Sequence, residues 1–232
     1  MYRLAIFDFD GTLADSSEWF IEAMIAAAGR FGYRQVALDE IGRLRGLPTR
    51  EVVRQLGVPF WRMPAIARHF RAEAQKNLHR IQLFPGAREA LRSLAAGGVE
   101  IAILSSNSEQ TIRAVLGPCD AALVRRFACG ASLFGKAAKL RRLVRESGVS
   151  PEEAIAIGDE TRDVDAAGAA GVAAGAVDWG YATPAVLRSA EPELIFASFE
   201  KLVSAVLGEP QAATDLPKPL EFPSPVPVSR TI

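Results

Sequence analysis

The chain has 232 residues, 49% hydrophobic and 23% charged, the balance of a globular protein large enough for one big domain or a core with an insertion. Its 27 lysines and arginines equal its 27 aspartates and glutamates, so a net charge of zero removes any global electrostatic case for nucleic acid or an anionic membrane as partner. No apolar run reaches the roughly 18 residues that span a bilayer, and Cys119 and Cys129 are too few for a disulfide framework. Met1-Tyr2-Arg3 leads directly into an apolar strand without the shape of a signal peptide, and a reducing cytoplasm is the expected compartment. His69 and His79 lack the spacing of a helical metal pair and read as surface or boundary residues.

The apolar run from Leu4 ends in Asp8 and Asp10, with Gly11 and Thr12 directly after. Side chains two apart in an extended segment share a face, so both carboxylates point the same way if the strand continues that far. Two carboxylates held together repel unless a cation or a shared proton compensates. No base lies nearby in sequence, and the pair reads as half of a divalent metal site; the competing reading is a plain turn. Asp15, Ser16 and Ser17 then offer N-cap chemistry for a helix through Trp19-Phe20-Ile21 and Ala23-Met24-Ile25. Residues 15–82 read as one helical block, with turns at Gly29 to Tyr33, Arg45 to Pro48 and Gly57 to Pro64. Within it Thr49 caps a short helix from Glu51 to Leu56, and a longer helix covers Ala65 to Ile81.

Phe84-Pro85-Gly86 marks a change of pattern. Ala87, Ala90, Leu91 and Leu94 form the inner face of a helix stopped by Gly97-Gly98. Val99 to Leu104 is a strand ending in Ser105-Ser106-Asn107-Ser108, followed by a helix through Ile112, Val115 and Leu116 and a short strand within Leu123 to Ala128. Ala137, Leu140, Leu143 and Val144 give the next helix, and Ala154 to Ile157 is a strand running into Gly158-Asp159. Asp163 to Ala170 is a helix, Val172 to Val177 and Leu194 to Phe196 are strands, and Leu202 to Leu207 belongs to a terminal helix. Short apolar strands alternating with amphipathic helices imply an α/β fold, a doubly wound parallel sheet covered on both faces, with an all-helical block inserted after the first strand. From Glu209 onward six prolines mark an extended, disordered tail.

Four strand ends carry polar clusters: Asp8 and Asp10, Ser105 to Asn107, a lysine near Lys136, and Asp159 with Asp163. In a parallel sheet these ends lie on one edge, where residues distant in sequence converge. Together they suit phosphoryl transfer, which needs a nucleophile, a proton donor, cations against the phosphate charge and donors for its oxygens. Asp8 would attack phosphorus to form an aspartyl-phosphate. Asp10 would protonate the leaving oxygen and later deprotonate the attacking water. Mg²⁺ suits an all-oxygen site, and Ser105, the following amides and Lys136 would bind the phosphoryl oxygens.

D-F-D-G-T-L at Asp8 to Leu13 resembles the first motif of the haloacid dehalogenase superfamily, I-L-S-S-N at Ile103 to Asn107 its second, and G-D-E-T-R-D at Gly158 to Asp163 its fourth. The position of the helical block is similar to the cap of the phosphoglycolate phosphatase and β-phosphoglucomutase branch. The resemblance implies a Rossmann-like catalytic core over residues 1–14 and 83–208, a helical cap over 15–82 and a tail over 209–232. It makes Asp8 the nucleophile and a metal ligand, and Asp10 the acid/base whose backbone carbonyl also faces the metal. Asp159 becomes the third protein ligand, Asp163 a support for the metal site and Ser105 a phosphate ligand. Gly11, Thr12, Ser106 and Asn107 fall among substrate-binding positions, with helix capping as the alternative for Ser106 and Asn107. The third motif departs from the pattern: Phe134-Gly135-Lys136-Ala137-Ala138-Lys139 has two lysines and no proline. Lys136 is favoured because it follows a glycine at the helix start, while Lys139 lies about one turn further on. Asp165 reads as a solvated charge of the first turn. Arg45-Gly46-Leu47-Pro48-Thr49-Arg50 resembles the substrate-specificity loop of that branch, making Arg45 a candidate clamp for a carboxylate or second phosphate, against the plainer reading of a surface charge. Trp179-Gly180-Tyr181 resembles a loop near the active site, with packing under the cap preferred.

The expected activity is therefore Mg²⁺-dependent hydrolysis of a small phosphorylated metabolite, phosphoglycolate-like or a sugar phosphate. A phosphosugar mutase shares the same core residues and is the first rival; a non-catalytic binding protein that keeps the fold is the rival from another class. A dehalogenase lacks the second aspartate that Asp10 supplies, and a phosphonatase uses a cap lysine, whereas residues 15–82 contain only Lys76.

Overall fold

The computed structural model describes residues 1–131 and 135–209. Strand β1 (Leu4–Phe7) leads through a tight turn into β2 (Ala14–Asp15). Helices α1 (Ser17–Phe31), α2 (Ile41–Arg45), α3 (Thr49–Gln55) and α4 (Met63–Lys76) follow, and the chain returns through β3 (Gln82–Leu83). Strands and helices then alternate: α5 (Ala87–Ala96), β4 (Glu100–Leu104), α6 (Glu109–Ala121), β5 (Val124–Ala128), α7 (Lys136–Ser147), β6 (Ala154–Gly158) and α8 (Thr161–Ala170). The described chain finishes with β7 (Ala173–Val177), α9 (Pro184–Ser189), β8 (Leu194–Phe196) and α10 (Phe199–Leu207).

Six strands make one parallel sheet in the order β5-β4-β1-β6-β7-β8. The central strand has no polar alternation because both of its faces are covered. Ala5 and Phe7 join Ile101, Ile103, Ile155 and Ile157 against α5, α6 and α10, through residues such as Leu91, Ile112 and Leu202. Leu4 and Ile6 point the other way, with Ala102 and Ala154, onto Leu140, Leu143 and Val164 of α7 and α8. Each large apolar side chain so buried contributes about 1.5–3 kcal/mol relative to exposure. From β1 the chain moves outward to β4 and β5, then crosses back to β6 on the opposite side of β1. That reversal opens a crevice at the carboxyl ends of β1, β4 and β6, the usual ligand position in such sheets.

The inserted helices carry small cores of their own. Ala27, Phe31 and Tyr33 pack with Met24 and Phe70, and Val36, Leu44 and Leu56 form a second cluster. The entrance and exit of the block are not helical as read from sequence: Ala14 pairs with Leu83 and Asp15 with Gln82 in an antiparallel ribbon. Helix α1 runs through Gly29 to Phe31, so the turn begins later than expected. Helix α4 stops at Lys76 instead of reaching Ile81, because the Asn77 side chain donates to the Glu73 carbonyl at 2.9 Å and the chain tightens into a 3₁₀ turn. Thr49 is the first residue of α3, behind Pro48, and its hydroxyl does not cap that helix. Among the described residues no helix is long and apolar enough to cross a membrane. Phe134 and the proline-rich segment beyond Glu209 lie outside the described residues.

Candidate active site

Strand register decides which residues meet. Phe7 lies beside Ile103 on one side and Ile157 on the other. The residues that follow, Asp8, Ser105 and Asp159, therefore emerge at the same sheet edge. The Asp8 amide extends the ladder by one bond, to the Ile157 carbonyl at 2.8 Å. The chain then turns, with the amides of Leu13 and Ala14 both bonding the Phe9 carbonyl. The strand does not continue to Asp10, and the two carboxylates end in different surroundings, contrary to the shared-face expectation.

Asp8 is buried. Its Oδ1 accepts from the Phe9 amide at 2.7 Å and its Oδ2 pairs with Lys136 Nζ. Lys136, the first residue of α7, also donates to Asp163 Oδ1 at 2.6 Å. Lys139 turns away to the Cys129 carbonyl of the loop after β5. Asp10 instead accepts from Ser16 Oγ at 2.9 Å and Asn107 Nδ2 at 3.2 Å. Ser105 is fully buried at the end of β4, its Oγ accepting from the Asn107 amide at 3.0 Å.

Asp159 sits where no other backbone would leave room. Thr12 Oγ1 donates to its Oδ1 at 3.0 Å, and the Tyr181 amide to its Oδ2 at 2.7 Å. A Cβ on Gly11 would come within 2.2 Å of Asp159 Oδ2, and Gly11 has φ +80, so glycine is required twice over. A Cβ on Gly180 would fall 2.2 Å from that of Asp159. The glycines of two separate loops thus frame one carboxylate.

Burial pushes the Asp8 carboxyl up to about 6, with Lys136 opposing and Asp163 adding to the rise. Burial also raises Asp10, against the hydrogen bonds from Ser16 and Asn107. Asp159 is raised well above the usual range by burial and by its acidic neighbours Glu160, Asp163 and Asp8. Asp163 moves the other way: burial works against its charge, but Lys136 and Arg162 outweigh it. Carboxylate oxygens of Asp8, Asp159 and Asp163 all lie within 4.8 Å of one another. Each accepts one hydrogen bond per oxygen and keeps a lone pair, a hard all-oxygen donor set short of positive charge. Such a set fits a small divalent cation. The Asp10 carboxylate is not part of that group, whereas Asp163, read from sequence as a support, is.

Three of the residues expected to contact substrate have partners within the chain. The Gly11 amide is taken by the Ala14 carbonyl within the turn, and the Thr12 hydroxyl faces Asp159. Arg45 donates through Nε to the Tyr181 carbonyl at 2.8 Å and through Nη2 to the Gly180 carbonyl at 3.0 Å, so it straps the helical block to the core. The helix-capping alternative for Ser106 and Asn107 does not hold, since Ser108 is the cap of α6; Asn107 Nδ2 donates to Asp10, and the Ser106 carbonyl accepts from Arg71 at 3.3 Å. Trp179-Gly180-Tyr181 does pack under the block, Tyr181 stacking on Phe20 at 5.7 Å, and it also donates to Asp159.

Residues 5–177 match the family of haloacid dehalogenase-like hydrolases. The chain belongs to that family. It is 34% identical to the phosphoglycolate phosphatase of Synechococcus elongatus over 202 residues, covering 87% of this chain and 95% of the relative. Among solved structures, a putative haloacid dehalogenase-like hydrolase from Bacteroides fragilis aligns over 87% of this chain and 100% of its own, with a TM-score of 0.72 and 26% identity. A predicted phosphatase from Clostridium acetobutylicum shares the fold over 90% of this chain and 99% of its own, with a TM-score of 0.74 at 21% identity. The protein is a phosphatase of the haloacid dehalogenase-like family, acting on phosphoric monoester bonds.

Residue reasoning missed Arg162 in this hydrolase. Its guanidinium is largely buried, bonded to Glu160 Oε2 at 2.6 Å and 3.8 Å from Asp8 Oδ2. The signal was present in the sequence: a cation in the first turn of a helix opposes the helix dipole and calls for a compensating partner. The Ser16 contact with the Tyr181 hydroxyl, 2.7 Å, was also missed, since nothing local links residues so far apart.

Proposed function

We propose that this phosphatase hydrolyses a small phosphomonoester through an aspartyl-phosphate, with Mg²⁺ as cofactor, in the cytoplasm. The observation that carries the reading is the separate housing of two neighbouring carboxylates. Burial raises both carboxyls, and their partners differ. Asp8 pairs with the Lys136 cation, which opposes the rise and favours the ionised nucleophile. Asp10 is instead bonded by the neutral donors Ser16 and Asn107, a setting that suits a group able to carry a proton. In the first step an Asp8 oxygen forms a bond to phosphorus as the ester P–O bond breaks, and the leaving oxygen takes the Asp10 proton. Water then attacks the aspartyl-phosphate, giving its proton to Asp10 and releasing inorganic phosphate and free Asp8. Asp8, Asp159 and the backbone of Asp10 would hold Mg²⁺, with Asp163 beside them, and the ion would supply positive charge against the phosphoryl oxygens. Ser105 and Lys136 serve the phosphoryl group, while Thr12 and the Tyr181 amide orient Asp159.

Phosphoglycolate is the first substrate to test, because a 34% identical relative is named for it. The reading of a small substrate is supported by the contacts that tie the helical block to the core near the site, at Arg45, Thr49 and Arg71. The test is phosphate release across phosphoglycolate and sugar phosphates, with Mg²⁺ or EDTA, and with or without a bisphosphate sugar. Turnover is expected on at least one small ester, lost in EDTA, restored by Mg²⁺ and independent of the bisphosphate. Metal-independent turnover, or strict dependence on the bisphosphate with little phosphate release, overturns the reading.

A further inference from the structure

Arg162 is the second residue of α8, in the first turn, where a helix ordinarily disfavours a cation. Its side chain is nonetheless only 12% exposed. Glu160 holds it, Oε2 accepting from Nε at 2.6 Å and pairing with Nη2. Nη2 stands 3.8 Å from Oδ2 of Asp8, the same oxygen that pairs with Lys136. That separation exceeds the roughly 3.2 Å reach of an N–H···O bond, so Arg162 faces the nucleophile without clamping it. A planar fork of five donors bonded to one carboxylate retains N–H groups for a second oxyanion.

Glu160 is fixed from the other side by the helical block. Its Oε1 accepts from Thr49 Oγ1 at 3.2 Å, and the Thr49 amide donates to Thr161 Oγ1 at 3.3 Å. Thr49 opens α3, so a continuous line of polar contacts runs from that helix through Glu160 and Arg162 to Asp8. Freed from Glu160, the fork has a carboxylate within easy reach, and a bidentate pair with Asp8 would mask the attacking oxygen.

We propose that Arg162 is a second phosphoryl-binding cation beside Lys136, and that Glu160, docked on Thr49, is the positioning residue that aims it at the phosphoryl group. The proposal deepens the phosphatase reading and rests on it. Docking of the helical block onto the core then completes the phosphate site, because the Thr49 contact and the aim of Arg162 depend on the same glutamate.

The full-length protein is titrated with inorganic phosphate by calorimetry, in Mg²⁺, alongside steady-state hydrolysis of p-nitrophenyl phosphate and thermal unfolding. Loss of one charge-assisted contact predicts phosphate binding weakened about tenfold to a hundredfold in Arg162→Ala, a matching rise in KM, and partial recovery in Arg162→Lys. Glu160→Gln and Thr49→Ala should each weaken phosphate by a few-fold, and the double variant should be no worse than Glu160→Gln alone. Arg162→Ala that unfolds at a lower temperature but binds phosphate within twofold of wild type overturns the proposal. Should Arg162→Ala not fold, Thr49→Ala and Glu160→Gln decide: unchanged phosphate affinity and KM in both sinks it. Wild-type protein that binds phosphate yet hydrolyses no phosphomonoester sinks the phosphatase reading, while the titrations still judge Arg162.

Discussion

Asp8 and Asp10 are two positions apart and chemically distinct. Lys136 gives Asp8 a cation, while Asp10 receives only neutral donors from Ser16 and Asn107. Replacing Asp8 by Asn removes the nucleophile and should reduce phosphate release to the background rate without unfolding the protein, as read by circular dichroism and a phosphate assay. Asp10→Asn should leave substrate binding in place and lower kcat by roughly 10²–10⁴-fold, the range for a lost general acid. The two lysines of the third motif separate in the same way. Lys136→Ala should harm turnover far more than Lys139→Ala, since Lys136 touches Asp8 and Asp163 and Lys139 bonds the Cys129 carbonyl; equal losses would place the phosphate lysine elsewhere.

Among the elements, the helices on one face of the sheet are tied by a buried charge. Asp120 at the end of α6 is covered by Arg88 and Arg92 of α5, with Arg92 Nε at 2.9 Å. Burial opposes its charge, but the two arginines outweigh it and hold the carboxyl below its ordinary 3.8. A depressed folded value means the stabilisation is present above the unfolded value and is lost as pH falls through the folded one. Both arginines are partly exposed, 42% and 57%, so solvent screening limits the effect. Asp120→Asn should cost about 1–2 kcal/mol at pH 7, seen as a lower Tm, and the gap between variant and wild type should shrink as pH drops below 3.8. A gap that is constant with pH would show that the charge contributes nothing. The loop after β7 gives a second handle. Gly180→Ala would drive a methyl into Asp159, and a displacement of about 1 Å at such a group costs on the order of a hundredfold in activity.

For the whole molecule, the helical block is tied to the core by side-chain hydrogen bonds. Arg45, Thr49 and Arg71 all cross from block to core beside the sheet edge that carries Asp8. If the helical block covers the substrate, selectivity by size follows: small phosphorylated metabolites should be hydrolysed at least about tenfold faster, in kcat/KM, than a phosphopeptide bearing the same monoester. Equal rates on both would mean that the block does not screen substrates.

Much of this architecture was legible along the chain because its determinants are local. Apolar runs such as Ile101 to Leu104 and Ala154 to Ile157 mark strands by composition, and Gly97, Gly148 and Gly171 mark where helices stop. Asp8, Ser105 and Asp159 stood out because each follows a strand, and parallel strands end on one edge. What the sequence by itself determined is therefore the α/β class, the inserted helices and the set of polar strand ends. Only the tertiary structure decided how those ends are aimed. It turned Thr12 and Tyr181 onto Asp159, used Arg45 on loop carbonyls, and set Arg162 beside Asp8. The reason is physical: periodicity and propensity act over a few residues, whereas a buried charge takes its partner from whatever packing brings within about 3 Å, however far away in the chain.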